Sequence, residues 1–466
     1  MKNKNLPFFI LTASVFVFLV LPSLFKEGLF MDGLIYAAIS KNLANGLGSF
    51  WSPYFTATFL PSFHEHPPLA FGLQSIFFDV LGDAFYVEKI YSLFTAIIQG
   101  VIIIAIWRSF SGEKYKETFW LPIFLWITIP LCFWTYSNNM LENTMAMFTT
   151  SAILMQLLAF KRSQPQYLLF IISAVLIFLA FLSKGLPGLF PLAFPFIHWI
   201  VLKKLSFSKY LKSFLFLIVT LAATSAIIFL IPEAIGSLKI YFQTQIFESL
   251  SGERVQVKRY YIVQKMLQEL IPALGLTVII LFISRLKNIS VKTEVNPWIW
   301  VFVLTGLSAS VPIVISPKQL GFYLVPSLPF FALGISVLLI KPVTLFLESI
   351  KAETQKKITY IMLLLFLTTV IFSILQIGKF ERDKDKIEDI KRVGILIGNG
   401  EIITICPQMH QDWSLHGYFS RYFNISLEAD GQHQYRLRES GCGAEVEVIE
   451  SIELNNYILE FTKKTK

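Results

Sequence analysis

The chain has 466 residues, 55% of them hydrophobic and 15% aromatic, with only 15% charged. A mean hydropathy of +0.61 excludes an ordinary soluble globular protein and marks a polytopic membrane protein. The net charge of +9 is gathered in clusters between apolar segments, as membrane topology requires, so no nucleic-acid partner is expected.

Residues 6–25 form the first apolar segment, preceded by Lys2 and Lys4 and without a small-x-small cleavage pattern before Lys26. It reads as an uncleaved signal anchor whose N-terminus stays in the cytoplasm. About 20 apolar residues cross the hydrocarbon core as a helix. Further spans fall near 85–107, 119–136, 141–160, 167–183, 186–202, 213–231, 263–283, 298–316, 320–340 and 358–378, eleven in all. Residues 67–82 are apolar but short, opened by Pro67-Pro68 and closed by Gly82-Asp83. Counted as a span, this piece would move nearly every later basic cluster outside. It is therefore expected to be an interfacial helix of the first outer loop. The outer face of the plasma membrane then holds loop 26–84, the turns at 137–141, Lys184 and Lys318, loop 232–262, and the tail.

From about Phe380 the composition turns polar, with short apolar runs between Gly and Asn. Val393–Ile397, Ile402–Ile405, Glu445–Ile449 and Tyr457–Phe461 are predicted strands, and Trp413–Phe423 a helix. The expected fold is mainly α: a membrane helical bundle over residues 1–378 and a small outer α/β accessory domain over 379–466. Its three histidines and two cysteines match no metal-site spacing. Cys132 lies in an apolar segment; Cys406 and Cys442 can pair only in an oxidising compartment, and the sequence leaves that open.

On this topology few ionisable residues lie at the outer membrane face, where charge is costly and marks a site. Asp32 opens an amphipathic stretch through Ala44 and suits either a helix N-cap or a general base. His64-Glu65-His66, held extended by Pro67-Pro68, can contact a phosphate or ligate a divalent metal; as ordinary loop residues they would simply be solvated. Glu142 suits the positive end of a helix dipole and equally a substrate hydroxyl. Lys184 and Lys318 sit in tight turns against the positive-inside bias; snorkelling accounts for each alone. Their company with Arg254, Lys258, Arg259, Tyr260 and Tyr261 favours an anionic lipid head group.

Asp32, Glu65-His66-Pro67-Pro68-Leu69, Glu142, Leu182-Ser183-Lys184-Gly185 and the run Lys318 to Pro329, with Tyr323, Pro326 and Pro329, appear in an order that resembles the glycosyltransferase-C superfamily. Its bacterial aminoarabinose transferases of lipid A and its protein O-mannosyltransferases are the nearest likeness, over roughly residues 1–340. The resemblance implies transfer of a sugar from a polyprenyl-phosphate carrier to a lipid, glycan or protein hydroxyl, with inversion. Asp32 would be the base and Glu142 a second catalytic acid residue. His66, Lys184, Arg254, Lys258, Arg259, Lys318 and Tyr323 would serve the donor phosphate, and Glu65 with His64 a divalent metal. Two departures stand out: Gly33 where relatives often have Glu, and His66 where they often have Lys. A transporter of lipid-linked sugars would use the same cations without a base, but no internal repeat supports it. A scaffold for envelope assembly would need no polar cluster around residues 26–68.

Overall fold

The structure, a computed structural model, describes residues 2–161, 166–247, 260–286, 296–429, 431–442 and 447–463. The helices are, in order, α1 (Lys2–Phe25), α2 (Met31–Ala44), α3 (Leu69–Leu81), α4 (Val87–Phe110), α5 (Trp120–Ile127) and α6 (Pro130–Ser137). Then come α7 (Leu141–Phe160), α8 (Tyr167–Lys184), α9 (Phe194–Leu202), α10 (Phe207–Ser225) and α11 (Pro232–Tyr241). The series ends with α12 (Tyr261–Leu286), α13 (Trp298–Ser310), α14 (Leu328–Ser349), α15 (Ala352–Ile374), α16 (Lys384–Ile397) and α17 (Trp413–Phe423). The strands are β1 (Gly48–Ser49), β2 (Ser52–Pro53), β3 (Ile402–Ile405), β4 (Ser426–Ala429), β5 (Tyr435–Arg438), β6 (Val448–Glu453) and β7 (Ile458–Thr462).

Among the described residues nine helices are long and apolar enough to cross a bilayer, and the protein is a multi-pass membrane protein. Two of the eleven expected spans differ. Residues 116–137 bend by 77° before Pro130, where the missing N–H and the ring of proline disfavour a continuous helix. Residues 186–202 form a shorter apolar piece that starts as a 3₁₀ helix around Pro187 and Pro191. Residues 69–81 fold as the short apolar helix expected there.

The chain divides into two compact units. The first contains residues 1–22, 92–137 and 141–376, and among its described residues the regular elements are helices. Polar side chains tie its helices where lipid offers no partner: the Gln156 amide donates to Ser173 Oγ at 2.9 Å, joining α7 to α8.

The second unit contains residues 23–91, 138–140 and 377–466. Its sheet runs in the order β4-β3-β5-β7-β6, with β3 parallel to β4 and β5 and the rest antiparallel. Leu29, Leu34, Ala37, Phe78 and Val87 share one hydrophobic core with Ile387, Ile403, Leu415, Leu427 and Leu459. The loop after the first span and the tail are thus one folded body. A buried ion pair joins them: Arg421 donates to Glu88 at 2.8 Å and to the carbonyls of Asp83 and Ala84. Lys41 donates to the Arg421 carbonyl at 2.9 Å; burial, then the Arg421 charge, pushes its pKa down.

Val393–Ile397 is not a strand. It is the last turn of α16, where Ile387, Ile390, Val393 and Ile397 recur at helical spacing on the buried face. Ile402–Ile405 falls on β3, Tyr457–Phe461 lies one residue ahead of β7, and Trp413–Phe423 is a helix with the expected bounds. The predicted strand at 445–449 falls at the start of β6, with residues 445 and 446 outside the described residues. Strands β4 and β5 are not among the predicted strands: unlike Ile402–Ile405, their charged residues Glu428, Arg436 and Arg438 leave no apolar run to read.

Candidate functional site

In the first unit the sequence motifs meet in pairs. Glu142 lies in the first turn of α7 and Lys184 is the last residue of α8, so each charge complements its own helix dipole. The Lys184 ammonium stands 2.6 Å from Glu142 Oε1, the two side chains 5% and 0% exposed. The same ammonium lies 5.5 Å from the ring centroids of both Phe322 and Tyr323, close enough for cation–π attraction. Gly185 ends α8 at φ +86°, and a Cβ there would fall 1.8 Å from the Tyr241 hydroxyl, so the glycine after Lys184 is required both by conformation and by space.

Lys318 is half-buried in the turn before Tyr323. Its neighbour Gln319 accepts from the Ile262 N–H at 2.9 Å and donates to the Ser316 carbonyl at 3.1 Å, fastening this turn to the start of α12. Phe322 stacks on Trp134 of α6 at 6.3 Å. Arg254, Lys258 and Arg259 lie outside the described residues.

The second unit holds Asp32, His64, Glu65 and His66. Asp32 is half-buried and is the second residue of α2, not its N-cap; that position is Phe30, which makes no side-chain cap. The helix start is instead held from outside. Asn138 Oδ1 accepts from the Phe30 N–H at 2.9 Å, and Asn139 donates to the Gly33 carbonyl at 3.1 Å. Gln74 donates to Asn139 at 2.7 Å and accepts from Ser40 at 2.8 Å. A Cβ on Gly33 would lie 1.8 Å from the Asn138 carbonyl oxygen. That backbone approach leaves room for nothing larger than glycine at this position.

One turn after Asp32, the buried Tyr36 hydroxyl meets His66 Nε2 at 3.1 Å. His64 Nε2 pairs with Ser62 Oγ at 2.6 Å, and Ser62 with Ser52 Oγ at 2.6 Å. Burial pushes the His64 pKa down, which favours the neutral ring. No group of three His, Cys, Asp or Glu side chains gathers among the described residues. His64 Nε2 is engaged by Ser62 Oγ.

Residues 65–232 match the sequence model of the dolichyl-phosphate-mannose-protein mannosyltransferase family. No curated protein sequence matches the chain. In three dimensions it is similar to ArnT from Cupriavidus metallidurans bound to undecaprenyl phosphate, at 12% identity over 97% of each chain and a TM-score of 0.62. The apo form of that ArnT gives a TM-score of 0.63, with 12% identity over 97% of this chain and 96% of the other. The chain has a glycosyltransferase-C fold. The apo oligosaccharyltransferase of Archaeoglobus fulgidus is similar at a TM-score of 0.50 and 14% identity, with 90% of this chain matched to 64% of that one.

Within this glycosyltransferase-C fold, five polar residues join the motif positions without having been singled out by sequence: Tyr36, Gln74, Asn139, Lys265 and Glu269. Tyr36 carries a readable signal, four residues after Asp32 on the same helix face. Lys265 and Glu269 carry another, a charge pair at i,i+4 inside an apolar span; the ammonium and carboxylate lie 2.7 Å apart. Gln74 and Asn139 give none, because their pairing joins distant segments.

Proposed function

We propose that this protein is an inverting membrane glycosyltransferase. It moves a hexosyl or pentosyl group from a polyprenyl-phosphate carrier to a hydroxyl of a lipid, glycan or protein acceptor. The observation that carries the reading is the Lys184–Glu142 pair, buried in the membrane unit with the ammonium over the Phe322 and Tyr323 rings. A cation held in that setting suits a lipid-linked phosphate leaving group, whose charge grows as its bond breaks. The likeness in fold to a transferase bound to undecaprenyl phosphate supports the carrier class.

In this reading Asp32 removes the acceptor hydroxyl proton as that oxygen attacks the anomeric carbon. The carbon–oxygen bond to phosphate breaks on the opposite face, and the electron pair leaves with the phosphate oxygen. Lys184 and Lys318 offset the charge that develops there, and Glu142 orients Lys184. The reaction side is the outer face of the plasma membrane, with the N-terminus cytoplasmic and the tail outside. The Cys406–Cys442 disulfide in the tail suits such an oxidising compartment. Tail and first loop, sharing one core, present the acceptor.

The test is release of polyprenyl phosphate from a panel of polyprenyl-phosphate sugars, with membrane extract as acceptor source, for the parent and Asp32→Asn. Release by the parent and loss in the variant supports the reading. Equal release by both removes Asp32 from the chemistry, and no release from any donor removes the transferase.

A further inference from the structure

We propose that Lys265 is a further carrier-phosphate residue, held ready by Glu269 against the same turn that Lys184 meets at Phe322 and Tyr323. The inference rests on the carrier reading above. Lys265 lies one turn into the apolar helix α12, where an ionisable side chain is costly and calls for a partner or a ligand. Its ammonium is 2.7 Å from Glu269 Oε1, and the lysine side chain is 30% exposed against 6% for the glutamate. The other carboxylate oxygen, Oε2, accepts from the Leu131 N–H at 2.7 Å. Leu131 is the second residue of α6, so Glu269 caps that helix from outside.

A cap needs an acceptor and no cation; a glutamine would satisfy Leu131 equally. The lysine therefore needs a reason of its own, and its position supplies one. Its methylene stem runs against Gly321, where a Cβ would come 3.0 Å from Lys265 Cε. The next two residues are Phe322 and Tyr323, whose rings sit under the Lys184 ammonium. Two carboxylate-paired lysines thus meet segment 318–323, Lys184 deeply buried at Phe322 and Tyr323 and Lys265 partly open at Gly321, with Lys318 in the segment itself. Cations converging on one turn suit a doubly charged phosphate better than a neutral lipid. Glu269 holds Lys265 in place but competes with an arriving phosphate for it.

That competition gives the test a sign. The full-length protein in detergent is titrated with undecaprenyl phosphate and with undecaprenol, and intrinsic tryptophan fluorescence is followed. Lys265→Met is expected to weaken phosphate binding about tenfold, the loss of one charge-assisted contact, and to leave undecaprenol binding unchanged. Glu269→Gln keeps the cap and frees the ammonium, so phosphate binding tightens about threefold; Lys265→Arg stays near the parent. A Lys265→Met protein that binds phosphate like the parent overturns the assignment. So does an equal loss for both lipids, or weaker phosphate binding in Glu269→Gln, since each marks a structural pair. Should Lys265→Met fail to fold, the Glu269→Gln and Lys265→Arg results still decide. A parent that does not distinguish the two lipids removes the carrier reading and this assignment with it, whereas a parent that prefers phosphate beside an unaffected Lys265→Met removes this assignment alone.

Discussion

Lys184 and Glu142 form an ion pair whose members come from the last turn of one membrane helix and the first turn of another, 2.6 Å apart and almost wholly buried. Removing one partner leaves an uncompensated charge in low dielectric, at a cost of about 3–5 kcal/mol. Lys184→Met and Glu142→Leu should each lower the unfolding temperature in detergent. The double variant Lys184→Met/Glu142→Leu should recover most of that stability and none of the transfer activity. A double variant as unstable as the single ones would show that the pair is not coupled.

Gly33→Ala tests the approach of α2 to residues 138–140. Its methyl would sit 1.8 Å from the Asn138 carbonyl oxygen, so backbone must move, at a cost of about 1–3 kcal/mol. The Asn139 contact to the Gly33 carbonyl goes with it, and Asp32 is displaced. Transfer should fall at least tenfold, a loss of more than about 1.4 kcal/mol in transition-state stabilisation. Parental melting temperature and parental activity together would show that the segment yields freely.

Removing the tail is a larger change than the chain order suggests. Leu29, Leu34, Ala37 and Phe78 pack in the core with residues of the tail. A protein lacking residues 377–466 should therefore become protease-sensitive within residues 23–91, and should lose Asp32-dependent transfer through that loop. Arg421→Met is the gentler probe: it strands Glu88, at a cost of about 3–5 kcal/mol. Protection of residues 23–91 in the truncated protein would show that the loop folds alone.

Acid should loosen the tail in a defined window. Burial depresses the His416 pKa to about 4 from 6.5, so between those values the unfolded chain binds a proton that the folded one refuses. Stability is therefore full above about pH 6.5 and falls as pH drops toward 4, by on the order of 3 kcal/mol. Burial pushes the nearby Asp412 carboxyl up, but hydrogen bonds from Lys386 and Ser414 outweigh it and leave it below its usual value. Its contribution is lost lower still, as pH falls below the ordinary carboxylate range. Asp412 also caps α17 by accepting from the Leu415 N–H at 3.0 Å. Chemical denaturation from pH 7 to 4 measures this, and His416→Phe should flatten the curve.

The membrane spans were legible because an apolar run of span length has few other fates in a folded chain. The bend before Pro130 was legible only as a proline inside a run. The tail misled at Val393–Ile397, where a short apolar run suits strand and helix alike until the preceding Ile387 and Ile390 reveal the 3.6 period. The pairing of Glu142 with Lys184 was foreshadowed by charges at span ends, but not its geometry. Glu269 capping α6, Gln74 bonding Asn139 and Arg421 reaching Glu88 all join segments far apart in sequence. No local pattern encodes such partners, because burial makes each satisfy the other only after the chain has folded.

The tail disulfide joins Cys406, just after β3, to Cys442, 36 residues on. Closing a loop of that length removes unfolded-state entropy corresponding to roughly 3–4 kcal/mol in the chain-entropy model. Cys406 is fully buried, in the core that the tail shares with Leu34 and Phe78. Cys406→Ala/Cys442→Ala should therefore lower the unfolding temperature of the loop and tail together, without altering the helical signal of the membrane unit. Protein made where thiols stay reduced should behave as the double variant does. If thiol labelling finds both cysteines reactive in protein isolated from its native membrane, the tail faces a reducing compartment and the proposed sidedness is reversed.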